Sequence, residues 1–264
     1  MSGGALRASL VRKPWGSKQL PFPYGVQDEA IGEIRFEVPT PLKRILAKYL
    51  FTNDTLSIQV HPAAKFCPAR TGKDECWVVT EAEPTASIAV GFRKSFSAAK
   101  IRAAALDGTL PDLLDWRRVR QNDFIFLPAG TLHAIGAGVS LVEFQPNVDT
   151  TFRLYDYGRG RTLHIEEAIL SLAEPREANC IRASLDPAEE TVLLTSRHFI
   201  VAQCLGRPSK PIATKFASAV QILPLSGQCR IGAHEIHPGG AGWATSLESI
   251  DFSDCERALL FAEA

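Results

Sequence analysis

The sequence predicts a mainly β protein, built as two related β-barrels carrying a few short helices. Three observations point there. Short runs of apolar and β-branched residues recur along the whole chain, separated by Gly, Pro, Asn and Asp. That is the spacing of antiparallel sandwiches or barrels, not of alternating β–α units. Helical pattern is confined to a few short stretches. A faint internal repeat sets Pro128-Ala129-Gly130-Thr131-Leu132-His133 beside Pro238-Gly239-Gly240-Ala241-Gly242-Trp243, with the same spacing but tryptophan in place of histidine.

Taken in order, the first half offers strands at 33–38, 56–60, 75–79, 87–90, 123–127 and 140–144. Ser97 is placed to cap a helix over 98–106, and 110–116 reads as a second short helix. The stretch 165–172 is also helical in pattern, with Glu166 and Glu167 in its first turn, and would cross to the second half. There the strands fall at 199–204, 219–223, 228–231, 242–246 and 257–262. The expected organisation is a domain over 1–175 with a short helical insertion near 97–116, followed by a second domain over 176–264.

Composition limits the function. With 264 residues the chain can bury a large core. Lys and Arg number 29 and Asp and Glu 29, so no basic excess points to nucleic acid. No apolar run reaches the length of a membrane span, and Met1 to Lys13 lacks the hydrophobic stretch of a secretory signal. Cysteines at 67, 76, 180, 204, 229 and 255 form no C-x-x-C pair and suit reduced, buried thiols in a cytoplasm.

Three segments carry candidate chemistry: Leu56-Ser57-Ile58-Gln59-Val60-His61-Pro62, Gly72-Lys73-Asp74-Glu75, and Leu127-Pro128-Ala129-Gly130-Thr131-Leu132-His133. Side chains alternate between the faces of a strand. Leu56, Ile58 and Val60 therefore share an apolar face, while Ser57, Gln59 and His61 share a polar one. Further on, Glu75 and Trp77 share one face, with Cys76 and Val78 on the other. The apolar run 124–127 ends at Pro128-Ala129-Gly130, a turn that delivers His133 three residues later. A lone histidine after a turn is more often a surface residue than a ligand. The conjunction of Gln59, His61, Glu75 and His133 is different, since two imidazoles, a carboxylate and an amide oxygen suit a divalent transition metal at an open site. His234 and His237 have no third partner nearby in sequence and read as a surface pair.

These segments, together with Lys13-Pro14-Trp15-Gly16 and Asp149-Thr150-Thr151-Phe152-Arg153-Leu154-Tyr155-Asp156-Tyr157-Gly158-Arg159, resemble type I mannose-6-phosphate isomerases, zinc enzymes of the cupin superfamily, in a short bacterial form. The resemblance covers roughly residues 10–175 in order; 180–264 match loosely, as a degenerate second cupin. It implies two cupin-type jelly-roll β-barrels, the second without a metal site. It also implies one Zn2+ per chain, with other divalent metals open, held by Gln59, His61, Glu75 and His133. Arg153 falls on the active-site arginine, Lys48 and Lys73 on active-site lysines, and Asp149 on an acidic position. Gly32-Glu33-Ile34-Arg35 departs from the family's Gly-Glu-x-Trp, Phe152 stands where Tyr is usual, and the helical insertion domain of larger members is missing.

The activity that the resemblance implies is aldose–ketose isomerisation of a small phosphosugar, mannose 6-phosphate to fructose 6-phosphate, through a cis-enediolate. Arg153 would donate to the developing oxyanions. Lys73, Asp149 and Asp156 are all open as the base. The phosphate would go to Lys48 first and to Arg159 second. Rival readings are a non-catalytic sugar-phosphate-binding cupin, an isomerase of another phosphosugar, and an iron-dependent cupin oxygenase. The oligomeric state stays open between monomer and homodimer.

Overall fold

The structure, a computed structural model, describes residues 3–67, 69–172 and 180–264. Its first half runs through β1 (Gly3–Ala5), β2 (Ala8–Gln19), β3 (Val26–Phe36), β4 (Ile45–Thr52), β5 (Ile58–Val60), β6 (Glu75–Ala82) and β7 (Ser87–Phe92). Helix α1 (Ala98–Asp107) follows, then β8 (Leu114–Arg118), β9 (Asp123–Leu127), β10 (Leu132–Ile135), β11 (Val139–Pro146), β12 (Phe152–Tyr155) and α2 (Ile165–Ser171). The remainder comprises β13 (Ile181–Ser184), β14 (Thr191–Thr195), β15 (Phe199–Cys204), the one-turn α3 (Lys210–Ala213) and β16 (Val220–Gly227). It closes with β17 (Cys229–Ile231), β18 (His234–Ile236), β19 (Gly242–Ala244), β20 (Ile250–Asp251) and β21 (Cys255–Glu263).

The strands form four antiparallel sheets stacked as layers. A seven-stranded sheet, β13-β9-β6-β11-β4-β2-β3, faces a five-stranded one, β12-β5-β10-β7-β8. Between them lies a core of Trp15, Leu50, Trp77, Val79, Ile88, Ile125, Ile135 and Leu141. The opposite face of the seven-stranded sheet packs Tyr49, Val78, Val142 and Phe144 against Phe199, Val201, Leu259 and Phe261 of a six-stranded sheet, β1-β19-β16-β21-β15-β14. That sheet in turn covers β18-β17-β20 through Ile222, Leu260, Ile231, Ile236 and Ile250. Helices α1 and α2 close the outer face of the five-stranded sheet over Ile58, Val60, Leu132 and Leu154. The architecture is mainly β, as the sequence predicts, but it consists of open sandwiched sheets rather than closed barrels. Among the described residues no helix is long and apolar enough to cross a membrane.

Several elements differ from expectation, each for a physical reason. The stretch 110–116 is a 3-10 turn over Leu110–Leu113 that yields directly to β8, which pairs with β7. Strand β4 escapes sequence reading because Ile45-Leu46-Ala47-Lys48-Tyr49-Leu50-Phe51 is nearly continuously apolar, as expected of a strand covered on both faces. Leu56 precedes β5 and turns into the inter-sheet core, so it does not share a face with Ile58 and Val60. The helix at Ser97 forms as read, with the Ser97 hydroxyl accepting from the Lys100 N–H at 3.3 Å and Gly108 closing it at φ 83°. The two halves exchange edge strands: β1 pairs with β19, and β13 with β9. The expected boundary between 175 and 176 lies outside the described residues.

The seam between the seven- and six-stranded sheets is aromatic. The Phe144 and Phe199 rings lie 4.6 and 5.4 Å from that of Phe261, which is fully buried. Phe261→Ala should therefore cost about 3–5 kcal/mol. Because both sandwiches share this seam, chemical denaturation should show a single transition displaced as a whole, not the loss of one half.

Candidate metal centre

The site is assembled by two facing lateral rows. On the five-stranded sheet, strand register sets Arg153 beside Gln59 and Gln59 beside His133. On the seven-stranded sheet it sets Arg35 beside Lys48, Lys48 beside Glu143, and Glu143 beside Trp77. Glu75 precedes Trp77 by two residues, so it shares Trp77's face and points across the gap. His61 follows Gln59 by two, just past the end of β5.

Local turns fix these positions. Pro128 ends β9, and Gly130, at φ 90°, donates its N–H to the His61 carbonyl at 2.6 Å. The buried Asp74 carboxylate accepts the Ala129 N–H at 2.9 Å, tying the start of β6 to the same turn. His133 then enters β10 with its side chain facing Glu75.

His61, Glu75 and His133 are each 2% exposed, and their ligand atoms all lie within 4.8 Å of one another. His61 Nε2 is 3.1 Å from Glu75 Oε1, and His133 Nε2 is 3.8 Å from Glu75 Oε2. Each imidazole is oriented from behind: Nδ1 of His61 faces the Thr150 carbonyl at 2.9 Å, and Nδ1 of His133 the Thr131 carbonyl at 2.9 Å. A carbonyl can only accept, so both rings carry hydrogen at Nδ1 and present the Nε2 lone pair to the centre. The Gln59 amide sits 3.4 and 3.3 Å from the two Nε2 atoms and bonds the Ser57 hydroxyl at 3.0 Å on its other side. A half-turn of that amide aims its oxygen inward, and a hydroxyl can serve either partner.

The protonation states suit a cation. Burial, opposed by Glu75, pushes His61 down to about 4, and burial likewise lowers His133, so both are neutral donors. Burial alone would raise Glu75, but the Lys73 ammonium at 2.7 Å holds it well below the usual carboxylate range. Lys73 Nζ lies 2.7 Å from Glu75 Oε1 and 3.3 Å from His61 Nε2. Glu75 Oε2 is buried and has no hydrogen-bond partner among the described residues. A buried carboxylate oxygen left unmatched is costly, and two lone pairs converging on it complete a donor set that a divalent metal satisfies.

Beside these donors opens a cleft lined by Lys13, Glu33, Arg35, Lys48, Asp149, Arg153 and Arg161 among others. Lys48 is buried, with Nζ 2.5 Å from Glu143 Oε1, and Trp77 Nε1 donates to Glu143 Oε2 at 3.2 Å. Burial works against the Lys48 charge, yet Glu143, Glu33 and Glu75 more than offset it and raise its pKa. Glu33, at 2.9 Å from Lys13 and 2.7 Å from Arg35, is likewise brought down to about 2: burial opposes the shift, and Lys48, Lys13 and Arg35 outweigh it.

Of the residues read from sequence, Gln59, His61, Glu75, His133, Lys48, Lys73, Arg153 and Asp149 are brought to one end of the sandwich. Asp149 lies on the lip, 83% exposed and 3.8 Å from Arg35. Arg159 does not line the cleft; it turns to Asp54 at 2.5 Å and covers the Tyr157 ring. Asp156 is bonded to Arg161 at 2.7 and 2.5 Å and is not free to act as a base. Sequence reasoning missed Glu143, although a lone acid inside an apolar strand signals a buried partner. It also gave no role to Lys13, Glu33 and Arg35, although the resemblance singles out both of their segments, or to Arg161, which carries no local signal. His234 and His237 are exposed and join no metal-capable group among the described residues.

An open-ended β-sandwich with two imidazoles and a carboxylate converging inside one end defines a β-sandwich protein with a candidate metal centre. No family model matches the chain. It is 39% identical over 168 residues to the mannose-6-phosphate isomerase of Streptococcus mutans, covering 60% of this chain and 53% of that protein. It is 35% identical over 232 residues to a Bacillus subtilis protein named a probable mannose-6-phosphate isomerase, covering 79% of this chain and 73% of that one. The chain belongs to the mannose-6-phosphate isomerase family. The crystal structure of the mannose 6-phosphate isomerase from Bacillus subtilis superposes with a TM-score of 0.76 at 19% identity, over 99% of each chain. A zinc-bound mannose 6-phosphate isomerase gives 0.66 at 15% identity over the full length of both. The alignment with the Streptococcus mutans relative spans about half of that protein's length.

Glu75→Gln should remove the anionic donor and abolish stoichiometric metal binding while the fold persists, as read by metal analysis beside circular dichroism. In metal-free protein the unfolded chain protonates at His61 first, because the folded pKa is about 4 against an ordinary 6.5. The stability His61 contributes is thus complete above pH 6.5 and lost as pH falls toward 4. Denaturant midpoints across that window should fall for the wild type and fall less for His61→Gln.

Proposed function

We propose that this chain is a zinc-dependent isomerase interconverting mannose 6-phosphate and fructose 6-phosphate. What carries the reading is the convergence of His61, Glu75 and His133, with Gln59 against both imidazoles, beside a cation-lined cleft on a chain of this family. Moving the carbonyl between C1 and C2 requires carrying a proton across one face of an enediol and stabilising negative charge on its two oxygens. His61, Glu75, His133 and Gln59 would hold a zinc ion, which would supply positive charge against that developing anion.

The chain's own groups do the rest. The guanidinium of Arg153 lines the cleft, and β-pairing to Gln59 places it next to the donors. No carboxylate pairs with it among the described residues, so its fork is open to an oxyanion. Two groups can carry the proton: Lys73, 4% exposed beside Glu75, and Asp149 on the lip. Lys48, fixed by Glu143, contributes positive potential to the cleft from within the wall. The substrate is a small phosphosugar. The compartment is the cytoplasm, in keeping with six cysteines of which none forms a disulfide.

The reading is tested by turnover of mannose 6-phosphate in zinc-loaded protein, with chelator abolishing it and zinc restoring it. His133→Ala should lose metal and turnover together. Arg153→Ala should keep the metal and lose roughly 10²–10³ in kcat, the usual scale for removing an oxyanion donor. Between the two proton carriers, Asp149→Asn and Lys73→Met are read by kcat beside metal content: the residue that moves the proton is the one whose replacement lowers kcat most while the metal stays bound.

A further inference from the structure

We infer that Arg161 is the side chain that receives the substrate's phosphate and that Asp156 is the positioning residue that aims it; this rests on the isomerase reading above. Most cations of the cleft are already committed to buried acids. Lys13 and Arg35 share Glu33, Lys48 is held by Glu143, and Lys73 by Glu75. Arg153 sits in the row with Gln59, at the reacting end.

Arg161 differs in geometry. Its Nε and one Nη donate to the two oxygens of Asp156, at 2.7 and 2.5 Å, so one edge of the guanidinium is fully engaged. A guanidinium has five N–H donors in a plane. The bidentate pair with Asp156 leaves the far edge, with its own fork, for a second anion, and Arg161 lines the cleft at 27% side-chain exposure. A planar fork matches two phosphate oxygens. A lysine tied to a carboxylate offers no equivalent second edge.

The brace is built into the backbone. Asp156 is 3% exposed and follows β12 directly. The chain then reverses through left-handed Tyr157, Gly158 and Gly160, at φ 54°, 74° and 72°. It returns at His164, whose N–H donates to the Arg153 carbonyl at 2.7 Å, while the Arg153 N–H donates to His164 Nδ1 at 3.3 Å. Asp156 and Arg161 therefore face each other across a loop closed at its neck on Arg153, and the carboxylate sets the plane of the guanidinium. Arg159 on the same loop directs Nη2 to Asp54 at 2.5 Å and keeps Nη1 3.6 Å from Asp156, outside the cleft lining.

The test compares Arg161→Gln, Arg161→Lys and Asp156→Asn with the wild-type full chain, all metal-loaded. Arg161→Gln should raise KM for mannose 6-phosphate by about tenfold to a hundredfold, the worth of a lost charge-assisted bond, with kcat within about threefold. Metal content and melting should not change, and binding of unphosphorylated mannose, read as competitive inhibition, should be unaffected. Arg161→Lys should fail to restore KM, and Asp156→Asn should move KM in the same direction. A change shared equally by both sugars, or a fall in kcat at constant KM, overturns the assignment. If the wild type does not turn over mannose 6-phosphate, the isomerase reading fails, and calorimetric titration with inorganic phosphate decides this one separately. Weaker phosphate binding by Arg161→Gln then supports it, and equal binding overturns it. Should Asp156→Asn not fold, the two Arg161 variants carry the decision.

Discussion

Coverage of the seven-stranded sheet on both faces is the constraint on which the site depends. One face is apolar throughout and seals against the six-stranded sheet. The other carries Glu33, Lys48, Glu75 and Glu143 into a gap closed by the five-stranded sheet. A charge in such a gap survives only if another group answers it at bonding distance. Each of these four is 6% exposed or less and stands within 3 Å of a partner. Breaking one pair would strand the other charge, so the cleft wall is fixed in composition as well as in shape.

That fixed wall explains how one site can hold a cation and accept an anion. Negative charge concentrates at Glu75, which faces two neutral imidazoles and keeps one oxygen unmatched. Positive charge is distributed around it, mostly compensated, with Arg153 left without a carboxylate among the described residues. Under the proposed function, a phosphosugar entering this field would meet cationic side chains and no uncompensated negative wall. Electrostatics of this kind is set before binding, so little reorganisation is needed when charge develops on the substrate.

The candidate metal donors were legible because each sits where a period-two alternation or a Pro-x-Gly turn dictates its direction. Gln59 and His61 follow from the parity of β5, Glu75 from that of β6, and His133 from the turn at Gly130. The turn that ends β9 stands out in a sequence because proline and glycine are local signals. The cation wall was mostly illegible because its logic is lateral. Arg35, Lys48 and Glu143 are neighbours only through register across β3, β4 and β11, and no single segment records that they meet. What separates Arg159 from Arg161 has a similar origin: the two arginines stand two residues apart on a loop with left-handed Tyr157, Gly158 and Gly160, and of the two Arg161 lines the cleft. Strand β4 was invisible for the opposite reason, since burial on both faces erases alternation.

The exchange of edge strands bears on how the chain reaches this state. Residue 3 pairs with residue 244, and residue 181 with residue 126. Neither sandwich can complete its hydrogen-bond ladder from its own contiguous stretch of chain. During synthesis the first strand must wait, unpaired, until most of the polypeptide has emerged, and such long-range closure slows folding and leaves a sheet edge exposed meanwhile. The late seam gives a mutual lock in return: the last strands to dock are the ones that hold the two halves in register, so the cleft acquires its final geometry only when the whole chain has arrived.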